Sequence, residues 1–79
     1  HMSYQHIITL DPGKRGGKPC IRGLRVTVYD VLDYLAAGMT VEDILRGFPS
    51  LNRRAICAAI QFAAQRLKDE EFIPLAKAS

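Results

Sequence analysis

Tryptophan is absent from this 79-residue chain, and aromatic residues make up only 8% of it. Cys20 and Cys57 are the two cysteines, far apart and without a CxxC pair. That spacing rules out a disulfide-dense scaffold and offers no zinc-ligand set. Reduced thiols in a cytoplasmic protein are the expectation, and a single bridge is the alternative. No apolar run approaches the ~20 residues of a membrane span. No charged segment followed by an apolar stretch marks a leader, so no membrane contact is expected. His1-Met2 reads as a vector remnant and is left out of the fold reading. No repeat of solenoid period occurs.

What is present is globular in composition, with 48% hydrophobic and 24% charged residues. A chain this short buries roughly 60% of its unfolded surface, so a lone core is marginal. A homodimer, or a tight partner, is the default way to complete it. The formal charge is +3, and it is unevenly placed. Residues 1–29 carry five basic groups against Asp11, residues 30–52 carry four acidic groups against Arg46, and residues 53–79 are again net basic. An acidic middle between basic flanks predicts a polarised surface.

Gln5–Leu10 is short and β-branched and stops at Asp11-Pro12-Gly13, which predicts a strand ending in a turn. Gly13 to Gly23 reads as a basic, glycine-rich loop, and Leu24–Val26 as a second short strand. Three helices follow. Thr27 with Asp30, and Thr40 with Asp43, form capping boxes, and Asn52 caps the third helix. Val26/Val31, Met39/Ile44 and Leu51/Ile56 stand where hydrophobic staples belong. Gly38 and Gly47 fall where left-handed C-terminal caps are expected. Val28, Val31, Leu32, Leu35 and Val41, Ile44, Leu45, Phe48 each follow the i, i+3, i+4, i+7 pattern.

The third helix is apolar over most of its circumference. Ile56, Ile60, Ala63 and Leu67 read as its inward stripe, and Ala55, Ala59 and Phe62 as a second face that a partner copy would cover. One domain is expected over residues 3–68, with 69–79 as a tail. Its apolar Phe72, Ile73 and Leu75 could pack back on the domain, bind a partner or stay disordered.

No side-chain constellation suggests an enzyme, and no cofactor or metal is implied. His6 has no paired carboxylate in its segment. Asp30 and Asp33 share a helical face, but capping and solvation account for them. Cys57 follows Arg53 and Arg54 by one turn, yet a buried structural thiol is the plainer reading. The run Gly13 to Lys18 has glycines and lysines but Pro19 where a phosphate loop needs Ser or Thr, and no helix opens there.

Nucleic acid is the more productive reading. The second and third helices resemble a helix-turn-helix pair, although the connection Gly47–Leu51 is longer than the usual three or four residues. The start of the third helix offers Asn52, Arg53 and Arg54, with Gln61 two turns on. Two cations in a first turn oppose the helix dipole, a broken local rule that points to function. Lys14, Arg15 and Lys18 of the basic loop would add contacts to the backbone of DNA. A structural turn with solvated lysines, and a protein-binding module that touches no DNA, are the alternatives.

The run Gly17-Lys-Pro-Cys-Ile-Arg-Gly-Leu-Arg-Val-Thr-Val28 resembles the signature of the bacterial family called domain of unknown function 433, described as VapB-like antitoxins. The likeness continues through Leu35-Ala36-Ala37-Gly38, Phe48-Pro49-Ser50-Leu51 and Ala63-Ala64, covering roughly residues 5–67. It implies a mainly α fold, with one or two short N-terminal strands and a three-helix domain of helix-turn-helix-like type (homeodomain-like or winged-helix-like). It also implies the antitoxin of a type II toxin–antitoxin pair, which neutralises a PIN-like ribonuclease and represses its own operon by binding operator DNA. Leu24 and Asn52 stand where the family usually has Thr, and Arg53-Arg54 where it usually has acidic residues. The tail lies outside the likeness, and on position Phe72, Ile73 and Leu75 are candidates to hold the toxin.

Overall fold

The computed structural model describes residues 4–70. A 3-10 turn, Tyr4–His6, leads into strand β1 (Ile8–Thr9). A loop containing a second 3-10 turn, Arg15–Gly17, returns the chain to strand β2 (Cys20–Ile21). Helices α1 (Val28–Ala36), α2 (Val41–Gly47) and α3 (Arg53–Asp69) follow. The chain therefore has a mainly helical fold with short N-terminal strands and three helices.

The ribbon differs in detail from the expectation. β1 is two residues long, preceded by a turn rather than extended from Gln5, and its partner is not Leu24–Val26. The strands are antiparallel, with Ile8 opposite Ile21 and Thr9 opposite Cys20. The register puts the side chains of Ile8 and Ile21 into the core together, and Cys20 is buried beside them. Instead Arg22–Gly23 form a turn, closed by the Leu24 amide on the Ile21 carbonyl, and Leu24–Val26 returns the chain so that Thr27 pairs with Cys20 in a single bridge.

Helix starts are where local chemistry places them. The Thr27 hydroxyl accepts from the Asp30 amide at 2.9 Å, and Asp30 Oδ2 accepts from the Thr27 amide at 3.0 Å. Thr40 and Asp43 repeat the exchange, at 3.0 Å in both directions. Asn52 Oδ1 accepts from the Ala55 amide at 2.8 Å. Each exchange satisfies donors that the first turn of a helix leaves without partners.

The ends diverge. After α1, Gly38 takes φ +96°, its amide donates to the Leu35 carbonyl, and the Met39 amide donates to the Tyr34 carbonyl. That is a Schellman closure, and it needs a residue without a Cβ at Gly38. Gly47, by contrast, is the last residue of α2 and not a left-handed cap, because its φ is not positive; the Phe48 amide, next in the chain, donates to the Ile44 carbonyl. Phe48 stacks on Tyr34, ring centres 5.1 Å apart, which holds the end of α2 against α1.

The core joins the ribbon to all three helices through Ile8, Ile21, Val31, Ile44, Leu51 and Ile56. Ala55, Ala58 and Ala59 also face inward, and the last two are completely buried. With methyl groups alone on that face, the α3 backbone can lie close to its neighbours. This corrects the expected inward stripe. Ile56 is buried and Ala63 half-buried, but Ile60 is 45% exposed and Leu67 58% exposed. Ala55 and Ala59, expected at a dimer interface, are consumed by the protomer's own core. Phe62 is half-buried and meets Tyr4 edge-on at 5.5 Å.

Candidate nucleic-acid interface

A cleft of about 460 Å³ lies between the ribbon and the start of α3. His6, Arg22 and Leu24 line one wall; Asn52, Arg54 and Ser50 line the other. The ribbon supplies Arg22 because the residue follows β2 directly, and its Nε donates to the His6 carbonyl at 2.6 Å. That bond orients the guanidinium while its terminal nitrogens keep their hydrogens. On α3, Arg54 is exposed and has no hydrogen-bond or ion-pair partner among the described residues. Asn52 is occupied through Oδ1 as the helix cap. Two guanidinium groups, one at each wall, make this cleft a place where an anionic backbone would be favoured.

The residues expected to touch DNA are divided by the structure. Asn52 and Arg54 line the cleft. Gln61 is exposed on α3, two turns after Arg54 and on the same side of the helix. Lys18 is exposed and Lys14 half-buried, both in the loop before β2.

Arg15 has a structural position. Its Nη1 donates to the Arg25 carbonyl at 2.5 Å and lies 3.1 Å from Asp30 Oδ2. The guanidinium clamps the basic loop onto the N-terminus of α1, and Arg15 accepts φ +50° to reach it. Asp30 is thus shared between its cap and the clamp. The Thr27 backbone hydrogen bond, above all, lowers its pKa; burial opposes the shift, and the Arg15 hydrogen bond adds to the lowering.

Arg53 is also engaged. Its Nη2 donates to the Glu42 carboxylate on α2. This hydrogen bond is the main reason that the Glu42 pKa falls. An acidic side chain from α2 therefore sits at the first turn of α3, where the helix dipole favours it. The dipole conflict expected of Arg53 and Arg54 is offset at Arg53 and remains at Arg54.

Arg22, His6 and Ser50 were not singled out as site residues from the chain. Only the place of Arg22 within the GKPCIRGLR run could have signalled it; its position facing Arg54 across a cleft depends on how the ribbon packs on α3. The toxin-binding candidates Phe72, Ile73 and Leu75 lie outside the described residues. Among the described residues, no cluster of His, Cys, Asp and Glu is arranged to hold a metal ion, and no helix is long and apolar enough to cross a membrane. Cys57, expected to be buried, is exposed, and Cys20 is the buried thiol.

An uncharacterised protein of Sinorhizobium fredii is 44% identical over 59 residues, which is 75% of this chain but 27% of that protein. This chain therefore spans about a quarter of that relative. A DUF433 member protein from Anabaena variabilis, solved by crystallography, is similar with a TM-score of 0.76 at 28% identity, covering 81% of this chain and 63% of the solved one. Residues 8–63, spanning β1 to the middle of α3, match the family described as "Protein of unknown function (DUF433)", and the chain belongs to that family.

Proposed function

We propose that this domain is a DNA-binding module of the antitoxin kind, which represses its own operon and neutralises a PIN-like ribonuclease. The observation that carries the DNA half is the pair Arg22 and Arg54 on opposite walls of one cleft, neither held in an ion pair among the described residues. In this reading α2 and α3 act as a helix-turn-helix-like pair. Asn52, Arg54 and Gln61 of α3 face the duplex, Arg22 and Lys18 meet phosphates, and Arg15 and Arg53 hold the scaffold. The domain needs no cofactor and performs no chemistry on its ligand.

Retardation of the DNA upstream of its own gene tests the proposal. Binding at low salt, weakened by Arg54→Ala and by Arg22→Ala, is the expected result. No retardation at low salt removes the DNA role. The antitoxin half is supported by the likeness of the Gly17–Val28 run to VapB-like antitoxins, and its test is co-expression with the PIN-like nuclease. Relief of ribonuclease activity supports it, and undiminished activity refutes it.

A second reading, a protein-interaction module with no DNA role, is favoured by one observation. An apolar groove of about 390 Å³ opens between α1 and the second half of α3, lined by Leu32, Phe62, Ala63 and Leu67 among others. A self-pairing domain would have to use surface of this kind, since Ala55 and Ala59 are buried.

A further inference from the structure

Along the outer face of α3, Cys57, Ile60, Ala64 and Leu67 are all exposed and follow one another at intervals of three, four and three residues. That alternation is the a/d seam of a coiled coil. A helix that needs only its own core has its apolar stripe facing that core, and α3 has one there, in Ala55, Ile56, Ala58 and Ala59. The outer seam is a second stripe with no partner among the described residues. At its C-terminal end Leu67 also lines the groove against α1, where Tyr29 stands 57% exposed. Seam and groove therefore form one continuous trough.

Charge distinguishes between occupants. The border of the seam away from α1 carries Arg54, Gln61 and Lys68 at heptad spacing, with no acid among them. An antiparallel second copy would lay this basic border against itself. Like charges at these flanking positions select against a pairing, and opposite charges select for one.

We infer that the outer face of α3 is the docking site for an amphipathic helix of a different protein. That helix carries its own apolar seam and acidic residues along the edge that meets Arg54 and Lys68. Docking covers Ile60 and Leu67 and closes the trough against Tyr29. The inference does not rest on the DNA reading: Arg54 and Gln61 border both surfaces, but the apolar seam of Ile60 and Leu67 does not line the cleft that holds Arg22 and Arg54.

The test uses the full chain and two synthetic amphipathic helices of three heptads, each with a leucine seam, one flanked by glutamates and the other by lysines. Fluorescence anisotropy of the labelled peptides measures binding. The glutamate peptide is expected to bind at least about ten-fold more tightly than the lysine peptide. Ile60→Ser with Leu67→Ser abolishes that binding, Lys68→Glu reduces the preference, and Leu10→Ser, an exposed apolar residue on the ribbon side, changes neither. DNA retardation by the Ile60/Leu67 variant stays as in the parent, which separates this surface from the proposed cleft. Equal binding of both peptides, binding of neither, or concentration-dependent self-association that the Ile60/Leu67 variant abolishes would each overturn the inference.

Discussion

Arg15 and Asp30, fifteen positions apart in the chain, meet at 3.1 Å across the junction between the basic loop and α1. The carboxylate serves two structures at once, accepting from the Thr27 amide to close the helix cap and from Arg15 to hold the loop. Both partners are about one-third exposed or less, so solvent screens the pair only in part.

That sharing predicts a pH dependence. The folded pKa of Asp30 lies below its ordinary 3.8, so its contribution to stability is fully present above that value. It is lost as the pH falls below 3.8 and through the lower folded pKa. Thermal melts should therefore change little on this account between pH 7 and about 5 and should fall below about 4. Asp30→Ala should cost about 1–2 kcal/mol at neutral pH and flatten the acid limb of the stability curve. An unchanged acid limb in that variant would place the sensitive group elsewhere.

Arg53 and Arg54, adjacent in the chain, should behave differently. If the cleft binds DNA, Arg54→Ala reduces the slope of log affinity against log salt by about one, as expected for the loss of one phosphate contact. Arg53→Ala should leave that slope near the parent value, because its guanidinium is turned to Glu42. Titrations by fluorescence anisotropy at several salt concentrations separate the two outcomes. Equal effects of both substitutions would argue against the division drawn between them.

Ile44 is completely buried at the junction of α2 with the rest of the core. Ile44→Ala is expected to cost about 2–5 kcal/mol in chemical denaturation, through lost burial and the cavity left behind. Ile60→Ala, on the outer face of α3, should cost far less in the isolated chain.

Gly38 has φ +96°, and a Cβ added there would meet nothing within 4 Å. Gly38→Ala should therefore destabilise through backbone strain alone, by about 1–2 kcal/mol. Gly47→Ala, at an ordinary φ in the last turn of α2, should be neutral or slightly stabilising. Comparison of the two melting temperatures tests the assignment of the C-terminal caps.

Capping is a local matter, and residues three apart in the chain were sufficient to place the start of every helix. Thr27, Thr40 and Asn52 each find their partner within one turn, and no tertiary contact is needed to bring them together. The ribbon was less legible. Two-residue strands carry almost no periodicity, and the burial of Ile8 with Ile21 chose Cys20–Ile21 as the second strand over Leu24–Val26.

The rotation of α3 departs from the stripe of Ile56, Ile60, Ala63 and Leu67 expected along the chain, because a helix apolar on most sides offers several stripes of similar merit. Packing chose the alanine face, where small side chains allow close approach, and left the larger Ile60 and Leu67 outside. The roles of the arginines were decided in the same way. Five basic groups and one acidic group precede residue 30, but composition does not say which cation has an anion within reach. Only the folded chain brings Asp30 to Arg15 and Glu42 to Arg53, leaving Arg54 unpaired among the described residues beside the cleft it shares with Arg22.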